Sequence, residues 1–242
     1  MPDPNQKVAL VTGAGSGVGR DTALLLADAG YAVVLASRTA AHLDETAAYV
    51  KEEGDPDATT LAVPTNVTDP AAVNTLIEKT LEAFGRVDAL ANCAGSAPLQ
   101  PIERITDEVV DDALAVNLKG VIYTTRAVWP HFKKQKSGAV CSVSSMAAID
   151  PFRGFNVYAA AKAGVNLFMK AAADEGSKFN VIAAAVAPGA IETQMLRQNF
   201  SEKAIPPANT LDPLVVAGVI RDVLTGRRQI QPGETIPLPS PH

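Results

Sequence analysis

The strongest constraint on the fold is a rhythm. Short, unbroken apolar runs alternate along the chain with longer stretches of helical periodicity. The apolar runs are Val8–Thr12, Ala32–Ala36, Thr60–Pro64, Ala89–Asn92, Ala139–Ser144 and Val181–Ala187. Between them the spacing predicts helices over Gly17–Asp28, Ala40–Glu53, Asp69–Phe84, Asp107–Gln135 and Phe155–Lys178, the fourth broken near Asn117. A strand without polar alternation must be covered on both faces. Such strands, alternating with helices, fold as a parallel sheet between helical layers. Right-handed crossovers then make the expected fold an α/β, doubly wound, mostly parallel sheet with helices on both faces.

At 242 residues and 47% apolar content, residues 1-242 suit one domain, with no linker or repeat to divide them. Asp212–Leu224 reads as the last helix, with Asp212 as its N-cap and Pro213 at its first position. The tail Pro232–His242 holds four prolines and is a poor central strand. Glu192–Leu211 lacks periodicity and reads as a mobile excursion, so a substrate lid is expected within 190-211. The net charge is −5, and the basic cluster Lys133-Lys134-Gln135-Lys136 reads as a solvated helix end, so nucleic acid is not an expected partner. Cys93 and Cys141 lie in apolar stretches, as buried free thiols do, and no metal site is expected. Met1–Lys7 lacks the basic start and apolar core of a signal peptide. No apolar run reaches the length of about 18 residues that a membrane span needs, so a cytoplasmic protein is expected.

The first strand meets the first helix through Thr12-Gly13-Ala14-Gly15-Ser16-Gly17-Val18-Gly19. Gly13 allows a tight turn, Gly17 lets the backbone approach a pyrophosphate, and Gly19 lets helix pack on strand. The helix start then offers free N–H groups and a positive dipole end, with Ser16 and Val18 beside the anion. This is the signature of a dinucleotide-binding Rossmann fold. The second strand ends in Ser37-Arg38. An NAD site carries a carboxylate about 20 residues past the glycines, for the ribose 2′-OH. Here Ser37 stands in that place, and Arg38 suits a 2′-phosphate. NADP(H) is therefore favoured, with NAD(H) possible.

Tyr158 and Lys162 stand one helical turn apart on one face, and Ser145 lies thirteen residues before the tyrosine. An ammonium beside a phenol favours the phenolate and is expected to lower the tyrosine pKa. Such a tyrosine can give a proton to a carbonyl oxygen as hydride arrives. Ser145 can hydrogen-bond the same oxygen.

In these features the chain resembles the short-chain dehydrogenases/reductases, from about Lys7 to Thr193. Asn92-Cys93-Ala94-Gly95 resembles the motif that closes the fourth strand below the adenine ribose. Asn117 matches the asparagine that kinks the long helix and holds a water near the lysine. Ser145, Tyr158 and Lys162 match the serine, tyrosine and lysine of the family. Pro188-Gly189-Ala190-Ile191-Glu192-Thr193 matches the loop whose Ile backbone and Thr hydroxyl meet the nicotinamide carboxamide. The resemblance implies a proton relay from bulk water through the Asn117 water and Lys162 to Tyr158. Three features depart from the pattern. Cys93 replaces a second asparagine. Asn66-Val67 stands where Asp-Val is common, although an amide oxygen can still accept from adenine N6. The glycine-rich last strand is missing.

Residues flanking these motifs should line a pocket: Ser96, Pro98, Met146, Ile149, Phe152, Phe155, Ala190, Met195 and Leu196. Unless Arg153 or Arg197 turns inward, they favour an uncharged or partly apolar carbonyl or alcohol. The helix from Phe155 carries one polar stripe, Tyr158, Lys162, Asn166, Lys170 and Asp174, on an otherwise apolar surface. That surface predicts a homodimer or homotetramer. The expected function is NAD(P)-dependent interconversion of a ketone or aldehyde and an alcohol. The alternatives are an NAD-linked sugar or polyol dehydrogenase and a non-catalytic dinucleotide-sensing regulator.

Overall fold

A computed structural model describes residues 5–241. The reading of the N-terminal stretch rests partly on residues 1–4, which lie outside the described residues, as does His242. In chain order the elements are β1 (Val8–Thr12), α1 (Gly17–Asp28), β2 (Ala32–Ser37), α2 (Ala40–Glu53), β3 (Thr60–Pro64), α3 (Pro70–Phe84) and β4 (Ala89–Asn92). Then follow α4 (Asp107–Leu114), α5 (Gly120–Gln135), β5 (Gly138–Val143), α6 (Asn156–Gly176) and β6 (Val181–Pro188). The last are α7 (Gln194–Asn199), α8 (Pro213–Thr225) and β7 (Thr235–Leu238).

The strands form one sheet in the order β3-β2-β1-β4-β5-β6-β7, and every pairing is parallel. The strand order reverses between β1 and β4. Loops leaving these two strands diverge there and open a crevice at the carboxyl edge. Alternation within β1 explains its continuous apolar run. Ala9 and Val11 pack with Leu24, Leu43 and Ile220 on the side of α1, α2 and α8. Val8 and Leu10 pack with Leu76, Phe132, Val165 and Met169 on the side of α3, α5 and α6.

Three details refine the sequence reading. The long helix is broken by one π turn, Ala115–Lys119, at the expected asparagine. Asn117 Nδ2 donates to the Ala113 carbonyl four residues back, at 3.0 Å, and so competes with the helical ladder. The proline-rich tail does form a last strand, without a glycine run. It lies at the sheet edge, where Pro237 opposite Ala187 can lack an N–H. The excursion is tied to itself. Leu211 N–H donates to the Ala190 carbonyl at 2.8 Å, and Glu192 N–H to the Leu211 carbonyl at 2.9 Å. Arg197 Nε donates to Glu192 Oε1 at 2.6 Å and Nη1 to the Ile205 carbonyl at 2.8 Å. Helix α7, six residues long, is too short to show a period.

Candidate active site

The glycine turn is compressed between α1 and the end of β4. Gly13 has φ of 67°, and a Cβ there would lie 2.7 Å from the Ala94 amide nitrogen. A Cβ on Gly19 would lie 2.2 Å from the Gly13 carbonyl oxygen. Ser16 precedes α1 but makes no side-chain cap, whereas Asp69, Thr106, Thr193 and Asp212 cap theirs. The first amides of α1, at Gly17, Val18 and Gly19, are thereby left uncapped and fit the pyrophosphate of a dinucleotide. Two side chains that the sequence did not flag hold the carbonyls of this turn. Thr46 Oγ1 donates to the Ala14 carbonyl at 2.8 Å, and Arg20 Nη2 to the Gly15 carbonyl at 2.9 Å. Thr46 gave no local signal, because only packing of α2 on the turn brings it there.

Beyond the turn, Ser37 ends β2, and its Oγ would lie 2.9 Å from a Cβ on Gly15. Arg38 is exposed and, among the described residues, makes no ion pair. Asn66 closes a local turn. Its Oδ1, the atom meant for adenine, accepts from Thr68 N–H at 3.2 Å and Thr68 Oγ1 at 3.0 Å. An Asn with Thr two residues on closes this turn locally. Val67 is buried against Gly120. Asn92 also turns inward. Its side chain donates to Ser142 Oγ at 3.1 Å and accepts from Thr124 Oγ1 at 2.7 Å. It holds up the floor of the crevice, while Ala94 accepts no side-chain role beyond its N–H, which donates to Thr12 Oγ1 at 3.3 Å. Cys93 lies beside Thr22, and burial pushes its thiol up to about 12, so it is inert.

Across the crevice stand Ser145 after β5, and Tyr158 and Lys162 on α6. Lys162 is 3% exposed, and its Nζ donates to the Val143 carbonyl at 2.8 Å. The same Nζ lies 5.8 Å from the centroid of the Tyr158 ring. A Cβ on Gly95 would lie 3.2 Å from Asn117 Oδ1 and 3.7 Å from Lys162 Nζ, so the bare backbone of Gly95 leaves room beside both. Asn117 is buried and clasps Ser96, accepting from its N–H at 3.1 Å and donating to its carbonyl at 2.9 Å. Ser145 Oγ accepts the Ala147 N–H at 3.1 Å, which leaves its own hydrogen to donate.

The expected lowering of the tyrosine pKa is reversed. Burial pushes the Tyr158 phenol above its ordinary value, and a hydrogen bond with Ser145 pulls it partly back. Burial also pulls Lys162 down to about 8. Both groups are desolvated, so each favours its neutral form. The ammonium lies over the ring and bonds a backbone carbonyl, and does not offset the phenol's burial.

The loop after β6 closes the crevice. Pro188 ends the strand, Gly189 and Ala190 follow, and Ile191 bridges Leu211. A Cβ on Gly17 would lie 3.3 Å from Thr193 Cγ2, so this loop descends onto the glycine turn. Beside Tyr158, the Phe155 ring lies at 5.2 Å, and Phe200 from the excursion lies 6.0 Å from Phe155. Phe200 was not foreseen, nor was Asn199, whose Nδ2 donates to the Ala97 carbonyl at 2.8 Å. Of the expected lining residues, Phe152 is 65% and Ile149 56% exposed at the mouth. Arg197 is held by Glu192.

The polar stripe of α6 is also corrected. Lys162 and the Oδ1 of Asn166 are buried, and only Lys170 and Asp174 of the stripe are exposed. Leu167, 70% exposed, is the large apolar side chain of α6 that faces out. Among the described residues, no helix is long and apolar enough to cross a membrane, and no His/Cys/Asp/Glu cluster could hold a metal.

A family model described as short chain dehydrogenase matches residues 7–204. A 3-oxoacyl-[acyl-carrier-protein] reductase of Thermotoga maritima is 40% identical over 209 residues, 86% of this chain and 83% of that protein. Among solved structures, a variant of actinorhodin polyketide ketoreductase with NADPH superposes with a TM-score of 0.90. It is 25% identical, over 98% of this chain and 97% of that one. A 3-ketoacyl-(acyl-carrier-protein) reductase from Brucella melitensis complexed with NADH gives 0.88 at 29% identity, over 96% of each chain.

Proposed function

The chain belongs to the short-chain dehydrogenase/reductase family, whose members interconvert carbonyls and alcohols with a nicotinamide dinucleotide, and on that premise we propose that it reduces an uncharged, partly apolar ketone with Tyr158 as proton donor. The observation that carries this reading is the desolvated cluster at the carboxyl edge of the sheet: Tyr158, whose phenol burial pushes up and Ser145 pulls partly back, with its ring against the amine of a buried Lys162. When bound, the dinucleotide supplies the hydride.

The uncapped amides at Gly17, Val18 and Gly19, with Ser16, hold the pyrophosphate. Ser37 and Arg38 would border the adenine ribose, with Asn66 and Val67 at the adenine. Asn92, Ala94 and Gly95 form the floor, and Pro188, Gly189, Ile191 and Thr193 meet the nicotinamide end. With substrate bound, Ser145 donates its hydrogen to the substrate oxygen. Tyr158 keeps its proton until that oxygen becomes basic enough to take it, which suits reduction at neutral pH. Lys162, near 8, can then return a proton to the phenol oxygen. Asn117 orients Ser96 and the backbone beside that lysine.

NADP(H) is favoured, because Arg38 makes no ion pair among the described residues and no carboxylate stands at Ser37. Phe155 and Phe200 form an aromatic wall beside the phenol, which suits an apolar ketone and gives a sugar or polyol few partners. Retention of Tyr158 and Lys162 argues against a regulator without turnover. The exposed Leu167, with Ala160 and Ala171, supports a homodimer or homotetramer through α6, and the expected setting is cytoplasmic. A panel of ketones, aldehydes and alcohols, assayed with both dinucleotides by nicotinamide absorbance, tests the reading. Ketone reduction with NADPH is expected. Turnover confined to polyols with NAD, or none with any substrate, would overturn it.

A further inference from the structure

The tail beyond β7 reaches back to the crevice. Leu238 carbonyl accepts the Gly189 N–H at 2.8 Å. Two residues on, Ser240 Oγ accepts the Ala190 N–H at 2.7 Å and donates to the Ala190 carbonyl at 3.4 Å. Gly189 carries no left-handed backbone angle, so its φ does not demand glycine. The close approach of the tail does. A Cβ on Gly189 would lie 2.4 Å from Ser240 Oγ and 2.7 Å from its nitrogen.

The composition of the tail suits this contact. Pro237, Pro239 and Pro241 alternate with Leu238 and Ser240. Each ring fixes φ and removes an N–H, so the segment loses little further entropy when it docks. From its other side, the Ala190 carbonyl also accepts the Leu211 N–H at 2.8 Å. The Ala190 peptide is thus gripped between the tail and the return of the excursion. Immediately after it the chain passes Ile191 to Thr193, whose Cγ2 would lie 3.3 Å from a Cβ on Gly17.

We propose that Ser240 is a positioning residue for the nicotinamide end of the site. Its hydroxyl holds the Ala190 peptide and thereby sets where Ile191 and Thr193 stand. This rests on the reading of 188–193 as the nicotinamide loop. Removing the hydroxyl leaves a partly buried N–H unpaired and lets the loop shift. Among the described residues the Ser240 hydroxyl bonds only Ala190, so the adenine half of the crevice, built at the ends of β1, β2 and β4, should not respond.

The test uses the whole chain and ligands with and without the nicotinamide. NADPH and NADH are titrated by nicotinamide fluorescence, and ADP-ribose with its 2′-phosphate by calorimetry. Ser240→Ala should weaken dinucleotide binding about three- to tenfold, the scale of one lost hydrogen bond, and raise the dinucleotide KM. ADP-ribose affinity should stay unchanged, the melting temperature should fall by no more than the few degrees that one unpaired N–H costs, and Ser240→Thr should restore dinucleotide binding. Parallel weakening of both ligand classes with a lower melting temperature would overturn the proposal, leaving Ser240 a structural tie. No change in any ligand would overturn it too. Wild-type protein that binds ADP-ribose no less tightly than either dinucleotide would remove the nicotinamide-loop reading itself, and the proposal with it.

Discussion

Replacing Lys162 with methionine isolates the free-energy cost of burying an ammonium beside Tyr158. Lys162 is 3% exposed, and burial draws it from 10.5 to about 8. Between these two values the unfolded chain binds more protons than the folded one. Wild-type stability therefore rises with pH through that window, and the penalty is fully present below its lower end. At about 1.4 kcal/mol per unit, the full penalty is about 3 kcal/mol. Methionine is uncharged and of similar length, so the variant escapes it at every pH. The variant also loses the bond to the Val143 carbonyl, at a cost of about 1–3 kcal/mol, but that loss does not vary with pH. The stability difference should therefore move by about 2 kcal/mol in favour of wild type between about pH 7 and 9.5. Tyr158 does not interfere, because burial holds its phenol above its ordinary value. Denaturant titrations at the two pH values measure the shift, and for a chain of this length the melting temperatures should differ by about 4–8 °C more at one pH than at the other. A difference that stays constant with pH would refute the reasoning, because it would mean that the amine is hydrated in the folded protein.

Three further outcomes are expected. Tyr158→Phe keeps the ring against Phe155 but removes the transferable proton, so turnover should fall by about 100-fold or more with dinucleotide binding nearly intact; wild-type turnover would sink the mechanism. NADPH should bind about ten- to a hundred-fold more tightly than NADH through Arg38, and Ser37→Asp should reverse the order; unchanged NADPH affinity in Arg38→Ala would make Arg38 a surface residue only. Light scattering should find a dimer or tetramer, and a particle of 25.2 kDa alone would rule out assembly through α6.

Much of this protein was legible in local pattern. The six expected strands stand within a residue or so of their predicted ends, and for those inside the sheet the reason is that a strand buried on both faces must be apolar throughout. The Asp212 cap, the break at Asn117 and the turn at Gly13 were readable because each depends on chemistry within a few residues. The order of Ser145, Tyr158 and Lys162 along the chain likewise pointed to one candidate site.

Tertiary structure decided what depends on residues distant in sequence. Asn92 spends its side chain on Thr124 and Ser142, which only the α5 and β5 packing supplies. Phe200 reaches Phe155 because the excursion folds back, and Ser240 meets Ala190 because β7 joins β6. The pKa directions at Tyr158 and Lys162 were least readable of all. Their spacing on one helical face says that they are neighbours, and from that alone the charge should govern. Desolvation by the surrounding strands, helices and loops outweighs it, and the extent of burial belongs to the assembled fold and not to any stretch of the chain.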